Sequence, residues 1–138
     1  MRRNILAITM LMICSLTFLT ACGSSASKVD NVEINIGESV KFSKEEIEKA
    51  VDVVVNVFLK DSEHIELHSL SYDEEYSDFQ LENYREDVDP NNIIVLSSDF
   101  YVDSKAGGAW NPDSDYNWMF ILSRNDKNSD WILDDWGY

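Results

Sequence analysis

Basic residues are scarce in this sequence. Among its 138 residues, 11 are Lys or Arg and 26 are Asp or Glu, which gives a formal net charge of −15 at pH 7. Nucleic-acid binding needs clustered Lys and Arg that displace counterions from phosphates. An anionic lipid surface would likewise repel the chain within a screening length of about 8 Å at physiological salt. The composition therefore excludes nucleic acid as a partner, whereas it permits cationic partners and favours solubility.

Cysteine is also scarce, and both copies lie near the N-terminus, at Cys14 and Cys22. Cys14 belongs to an apolar run over residues 5–18 that follows Arg2 and Arg3, a layout typical of an export signal. The run is shorter than the roughly 20 residues that span a bilayer, and Gly, Ser and Ala follow it instead of a basic cluster. We therefore expect a cleaved signal peptide over residues 1–21 rather than a permanent transmembrane helix.

The segment Leu19-Thr20-Ala21-Cys22 resembles the lipobox of bacterial lipoprotein precursors. The resemblance implies diacylglycerol transfer to the sulfur of Cys22 and cleavage of the bond before it. The alternative is an ordinary secretory signal that leaves Cys22 as a free thiol. Because two acyl chains anchor a protein stably, the expected location is the extracytoplasmic face of the cell membrane, with the lipid on Cys22 as the anchor. The mature domain would then have no disulfide, thiolate metal site or cysteine nucleophile.

Residues 23–28 are mostly Gly, Ser and Ala, a composition typical of a flexible tether. Residues 31–138 are enough for one domain with its own hydrophobic core and too few for two. We therefore expect three parts: a signal peptide over 1–21, the lipidated Cys22 with its tether over 22–30, and a single α+β domain over 31–138. Loss of the two signal arginines would make the net charge of −15 two units more negative.

A helix is predicted to begin at Ser43. Ser43 and Glu46 have the spacing of a capping box, and Phe42 and Ile47 flank it as a hydrophobic staple. Apolar residues then recur at three- and four-residue spacing, namely Ile47, Ala50, Val51, Val54, Val55 and Phe58. This pattern predicts an amphipathic helix that packs on an apolar surface.

Four runs rich in aromatic and β-branched residues predict strands, over residues 64–72, 93–102, 116–123 and 131–136. The polar segment 124–130 fits a hairpin connection, and alternation places Tyr116, Trp118, Phe120 and Leu122 on one face. Residues 73–88 are acidic with aromatic residues near helical spacing, which predicts a short irregular helix or a covering loop. The expected fold class is α+β, with the N-terminal amphipathic helix packed on a curved antiparallel sheet.

The chain resembles small lipoproteins of Gram-positive bacteria that carry a cystatin-like or nuclear-transport-factor-like domain. The resemblance covers about residues 40–138 and rests on three segments: Lys41-Phe42-Ser43-Lys44-Glu45-Glu46-Ile47, Ser98-Asp99-Phe100-Tyr101-Val102-Asp103, and Trp131-Ile132-Leu133-Asp134-Asp135-Trp136-Gly137-Tyr138. It implies a curved sheet that cradles the helix. The group has no common chemistry to carry over, and a fold alone does not give a function.

Two patterns suggest metal binding, and each has a simpler explanation. His64 and His68 are four residues apart, which is a metal-ligand spacing on a helix but only a shared face on a strand. The segment 126–130 opens like a calcium loop, yet Trp131 stands where Gly is needed and Gly137 where a bidentate Glu belongs. A hairpin turn explains it better. The sequence therefore indicates no metal site and no cofactor.

Enzymes of the cone-shaped families usually place an Asp or His with a Tyr inside the cone, where burial tunes proton transfer. Asp99, Tyr101, His68 and Tyr116 could form such a set. An isomerase or hydratase that uses an interior Asp is therefore an alternative function. No spacing rule singles these residues out, so the sequence assigns no catalytic residue.

The segment 105–117 offers a binding surface instead, because Gly107 and Gly108 give backbone freedom while Trp110 and Tyr116 give flat apolar area. Its simpler explanation is a strand connection whose Trp110 covers the edge of the core. Trp118, Trp131 and Trp136 are predicted core residues. The leading hypothesis is a non-enzymatic, membrane-anchored domain that binds an envelope protein, peptide or glycan. Its candidate ligand-binding residues are Trp110, Tyr116, Tyr101, Asp99 and His68.

Overall fold

The computed structural model describes residues 31–61, 63–82, 84 and 88–137. The signal peptide, Cys22 and the tether predicted from the sequence lie outside these residues. In chain order the elements are β1 (Glu33–Ile36), α1 (Lys44–Asp61), β2 (Ile65–Tyr72), α2 (Glu74–Leu81), β3 (Ile93–Val102), β4 (Ser114–Ser123) and β5 (Ile132–Gly137). The α+β class predicted from the sequence is confirmed. None of the helices in these residues is long and apolar enough to cross a membrane.

Helix α1 begins as predicted, with a capping box. The backbone N–H of Ser43 donates to Oε2 of Glu46 at 2.9 Å, and the backbone N–H of Glu46 donates to Oγ of Ser43 at 3.3 Å. Each bond satisfies a donor that the first turn of a helix leaves without an intrahelical partner. Phe42 and Ile47 are both buried in the core at this end of the helix. The predicted helix start is therefore confirmed.

The apolar face of α1 packs on one face of the sheet, which we call the inner face. Residues at three- and four-residue spacing along the helix are buried: Ile47, Ala50, Val51, Val54 and Phe58. The sheet contributes alternate residues to the same core, including Leu96, Phe100, Phe120 and Leu122. Alternation in a strand sends every second side chain to one face, so these strand residues all face the buried stripe of α1 across the core.

The sheet has five strands in the order β1-β2-β3-β4-β5. Three neighbouring pairs are antiparallel, but β1 pairs with β2 in parallel, from Glu33 opposite Ser69 to Ile36 opposite Tyr72. The predicted antiparallel sheet is therefore wrong in one respect, because the sheet is mixed: β1 adds a parallel strand to the antiparallel β2 to β5. A parallel pair needs a long crossover connection, and α1 provides it between β1 and β2.

Gly37 ends β1 at a close approach between two backbones. Its N–H donates to the carbonyl oxygen of Tyr72 at 2.9 Å. A Cβ atom at position 37 would lie 2.9 Å from that same oxygen, closer than real Cβ atoms come. Only glycine fits this position without a backbone shift.

Helix α2 packs on the other face of the sheet, the outer face, against β3. The carboxylate of Asp73 caps this helix by accepting from the N–H of Tyr76 at 2.8 Å. Ser77 is buried, and its Oγ accepts the N–H of Val95 at 3.0 Å. Strand β2 pairs with β3 only as far as Ser97, so Ser77 takes over as the partner of β3 beyond that point. The small core beneath α2 contains Ile93, Val95 and Ile121.

Candidate binding site

Aromatic side chains gather at the end of the inner face where α1 ends, β3 ends and β4 begins. They surround a partly open cavity of about 30 Å³, which we call the aromatic pocket. Its lining residues are Val57, Phe58, Ile65, Phe100, Trp110, Trp118 and Trp136. Small-molecule sites usually measure about 300–1,000 Å³. The pocket therefore has room for one compact apolar group, and a whole drug-sized ligand does not fit.

Strand alternation brings Phe100 and Trp118 to the pocket. Phe100 and Tyr116 lie opposite each other in neighbouring strands, and their rings stack with centroids 5.4 Å apart. Trp118 comes two residues later on the same face, with its ring 5.5 Å from that of Phe100 at an angle of 84°. Phe58, in the last turns of α1, meets Phe100 edge to face at 5.2 Å. Such edge-to-face pairs fix ring orientation as well as burying area.

Trp110 is the one pocket residue that comes from a loop. Its ring centroid lies 4.9 Å from that of Trp118 and 5.0 Å from that of Tyr116. The loop turns sharply because Gly107 and Gly108 have φ of 64° and 68°, a region that glycine adopts without steric cost. The hydroxyl of Tyr116 accepts the N–H of Asn111 at 2.8 Å, which fixes the backbone next to Trp110. Trp110 and Tyr116, both candidate ligand-binding residues from the sequence, therefore lie in contact, and their role in ligand binding stays a prediction.

Trp136 reaches the pocket because of an irregularity in β5. Asp135 pairs with Ile121 and Leu133 with Leu122, so Asp134 is an extra residue in a β-bulge. The bulge lets Leu133 and Trp136 both face the inner side, although regular alternation would separate them. Trp136 is nevertheless 46% exposed, so its prediction as a core residue is wrong. Trp136 lines the pocket from β5, which is an edge strand of the sheet.

The polar candidates from the sequence lie elsewhere. Asp99 and Tyr101 flank the buried Phe100, so alternation sends both to the outer face. Asp99 accepts from Oγ of Ser69 and Nδ2 of Asn117, both at 2.8 Å. The exposed His68 lies 3.8 Å from Glu66 on the outer face.

The hydroxyl of Tyr101 donates to Asp113 at 3.0 Å. This hydrogen bond and the nearby negative charge raise the pKa of Tyr101. Tyr116, by contrast, is on the inner face with the aromatic rings. Asp99, Tyr101 and His68 are thus separated from Tyr116 by the sheet, and the predicted interior Asp/His/Tyr set does not form.

The patterns that suggested metal binding form local structure. Nδ1 of His64 lies 3.1 Å from Oδ2 of Asp103, and the N–H of Asp103 donates to the carbonyl of His64 at 3.0 Å. In the connection between β4 and β5, Asp126 accepts from the N–H of Asn128 at 2.8 Å, as in a turn. The predicted hairpin is confirmed. Within the described part of the chain, no group of three or more His, Cys, Asp or Glu side chains could hold a metal ion.

A second cluster, which the sequence did not reveal, surrounds Arg124. Its guanidinium lies 2.9 Å from Oε1 of Glu46, donates to the carbonyl of Asn91 at 3.0 Å, and stacks 4.4 Å from the ring of Trp131. The indole N–H of Trp131 donates to the carbonyl of Glu46 at 2.9 Å. The side chain of Arg124 is only 4% exposed and that of Glu46 is 14% exposed. This cluster joins the start of α1 to the β4–β5 hairpin.

The capping carboxylate of Glu46 has a strongly perturbed pKa. Burial by itself would raise the pKa of Glu46, but hydrogen bonds from Ser43 and the hydrogen bond and charge of Arg124 outweigh it and lower the pKa to about 2. The ionised form is therefore the one that the fold stabilises. Because the carboxylate of Glu46 is ion-paired with the buried Arg124 and the indole N–H of Trp131 is hydrogen-bonded within the cluster, we assign the cluster to the stability of the fold.

Comparisons with known proteins give no relative for this chain. No family model matches it, and no similar curated protein or solved structure was found.

Proposed function

We propose that the chain is a lipid-anchored protein of the extracytoplasmic face of the cell membrane, and that its domain over residues 31–138 binds a partner without catalysing a reaction. The aromatic pocket with Trp110 is its binding surface. The observation that carries the proposal is this partly open apolar pocket, whose lining includes three of the four tryptophans in the chain. Concave sites lined mainly by apolar and aromatic side chains are typical of recognition sites.

The loop geometry supports this surface. Gly107 and Gly108 turn the chain with positive φ, and Asn111 and Tyr116 hold the backbone next to Trp110. A rigid aromatic anchor binds with little loss of conformational freedom, so such a residue commonly dominates the energy of an interface. The isomerase or hydratase alternative has no comparable support, because its acidic candidate Asp99 lies on the exposed outer face.

The anchor is supported by the lipobox-like Leu19-Thr20-Ala21-Cys22 and is tested at Cys22. We expect the wild-type chain to incorporate a labelled fatty acid and to fractionate with membranes, whereas Cys22→Ala should take up no label. A matched control is Cys14→Ala, which keeps the lipidation site and should be labelled like the wild type. Labelling of the Cys22→Ala variant would contradict the lipid anchor.

The binding surface is tested by partner capture. Proteins crosslinked to the wild-type chain in intact cells would be identified, and the experiment repeated with Trp110→Ala and Phe79→Ala. Phe79 is 66% exposed but lies on α2, away from the pocket. Truncation of a hot-spot aromatic residue costs about 2 kcal/mol or more, so Trp110→Ala should reduce capture by roughly 30-fold or more while Phe79→Ala should not. If Trp110→Ala captured the partner as well as Phe79→Ala and the wild type do, the pocket would not be the binding surface.

A further inference from the structure

Strand β5 forms one edge of the sheet. Within the part of the chain that the structure describes, it pairs with β4 on one side and with no strand on the other. Two large apolar side chains on this strand are exposed, Ile132 by 58% and Trp136 by 46%. A free edge of this kind is a template for pairing with another chain. Strand β5 is therefore a candidate interaction surface.

The two faces of β5 offer different chemistry to a strand that pairs with its free side. Trp136 lies opposite Phe120 of the inner-face core, whereas Asp135 lies opposite Ile121 beneath α2. Residues directly opposite each other in paired strands point to the same face. An added strand, about 4.8 Å away, would therefore place one side chain beside Trp136 on the inner face and the next beside Asp135 on the outer face.

Trp136 joins the free edge to the aromatic pocket. Its ring lines the pocket, and its centroid lies 6.3 Å from that of Trp118 and 5.9 Å from that of Phe120. Part of its apolar area is nevertheless open to solvent. An apolar side chain from an added strand would cover this area and extend the apolar surface of the pocket, which is favourable because it removes apolar area from water.

The charges on β5 disfavour a second copy of this chain and favour a basic partner. The strand contains Asp134 and Asp135, both exposed, and no basic residue. In a symmetric antiparallel pair of two β5 strands, Asp134 of each copy would lie opposite Asp135 of the other. Like charges directly opposite each other destabilise such a pair, and the net charge of −15 on each copy adds to the repulsion. Lys or Arg in the added strand would be attracted instead.

We infer that the free edge of β5 binds an extended basic peptide as a sixth strand, in which apolar side chains alternate with Lys or Arg. The apolar residues cover Trp136 on the inner face, and the basic residues lie beside Asp135 on the outer face. Backbone hydrogen bonds give affinity in this mode of recognition, and alternate side chains give specificity. The inference rests on the proposed function, because it names the class of partner for a surface that includes the aromatic pocket.

The inference is tested with hexapeptides, which match the six residues of β5. A peptide of alternating lysine and valine with blocked ends would be titrated into the full chain in vesicles of zwitterionic lipid, with tryptophan fluorescence as the readout. A peptide with glutamate in place of lysine should bind about tenfold more weakly or worse, because its charges repel those of β5. A lysine and valine peptide methylated on all its backbone nitrogens should lose about tenfold or more, because it donates no backbone hydrogen bonds.

Hydrogen exchange of the backbone amides locates the bound peptide. We expect the amides of β5 that face its free side to exchange about tenfold more slowly or better at saturating peptide, because they become paired with the added strand. The amides of β1, the strand at the opposite edge of the sheet, should exchange at an unchanged rate. Protection of β1 in place of β5 would contradict the inference.

A matched pair of variants tests the charge on β5. Asp135→Asn removes the charge but keeps a side-chain oxygen that can accept the N–H of Trp136, as Oδ1 of Asp135 does at 2.9 Å. This variant should bind the lysine and valine peptide about threefold to fivefold more weakly than the wild type, and NaCl should affect its binding less. Glu66→Gln removes one charge from the same face on β2, two strands further from the edge, and should bind like the wild type.

The inference is overturned if the lysine and valine peptide does not bind, if its methylated or glutamate version binds as tightly, or if Asp135→Asn binds like Glu66→Gln. These results leave the proposed function standing, because capture of a partner through Trp110 is measured separately. If the peptide binds at β5 while capture does not depend on Trp110, the pocket is refuted as the binding surface and the edge site stays.

Discussion

Replacing Glu46 by Gln should reveal how much the capping carboxylate stabilises the fold. In the wild type the carboxylate accepts from Ser43 and lies 2.9 Å from the guanidinium of Arg124. Its pKa falls from the ordinary 4.5 to about 2. Since one pKa unit is worth about 1.4 kcal/mol, ionised Glu46 contributes roughly 3 kcal/mol to the free energy of unfolding. Losing one member of a buried ion pair is commonly as costly, because the other charge stays buried.

The lowered pKa of Glu46 also determines how its contribution to the unfolding free energy changes with pH. A group whose pKa is lowered on folding stabilises the protein fully above its unfolded-state pKa and loses that contribution as pH falls through the folded-state pKa. The difference in unfolding free energy between wild type and Glu46→Gln should therefore be about 3 kcal/mol at pH 7 and should shrink from pH 4.5 towards pH 2. Urea titrations followed by circular dichroism at several pH values measure both quantities.

The neighbouring Glu45 provides a matched control. It lies on the same turn of α1 and pairs with Lys49 at 3.4 Å, but its side chain is 79% exposed. Exposed pairs of this kind contribute little, about 0.5 kcal/mol or less, so Glu45→Gln should change stability only slightly at any pH. A Glu46→Gln difference that stays constant from pH 7 to pH 2 would refute the reasoning, because the effect would then not depend on the carboxylate charge.

Three further substitutions test other parts of the fold by urea denaturation at neutral pH. Phe58→Ala should lower the unfolding free energy by about 3–5 kcal/mol because it leaves a cavity among buried rings, and a loss below about 1 kcal/mol would mean that the core collapses around it. Ser77→Ala should cost about 1–3 kcal/mol because the buried N–H of Val95 loses its acceptor, and an unchanged midpoint would contradict that role. Gly37→Ala should cost about 1 kcal/mol or more because its Cβ would meet the carbonyl of Tyr72, and a more stable variant would contradict the close approach.

The parts of the fold that local rules determine could be predicted from the sequence. The start of α1 follows from four consecutive residues, and the strands follow from alternation and β-branched composition. Strand β1 could not be found this way, because it has four residues, three of them exposed, and it exists only through pairing with β2 beyond the helix. The Arg124 cluster has the same origin, since it joins residues distant in sequence that no local pattern relates.

Some surroundings of the candidate site follow from the sequence. The segment 105–117 is predicted to offer Trp110 and Tyr116 as flat apolar area, and the structure places their rings 5.0 Å apart. Because Phe100 is apolar and lies between Asp99 and Tyr101 in a strand, alternation already predicts that both polar side chains lie on the face opposite the core. This argues against the alternative of an interior Asp. The position of Trp136 depends on a bulge, which shifts the register by one residue and leaves no clear mark in the sequence.

The order of strands in the sheet has a consequence for how the chain folds. Because the strands lie side by side in the order in which they occur in the sequence, each new strand can pair with the edge left by the previous one. No strand has to be inserted between two that are already joined, and the three C-terminal strands need only nearby residues. Folding rates rise as contacts become more local, so we expect this meander to assemble early. The parallel strand β1 closes the longer loop through α1 and should be added in a later, slower step.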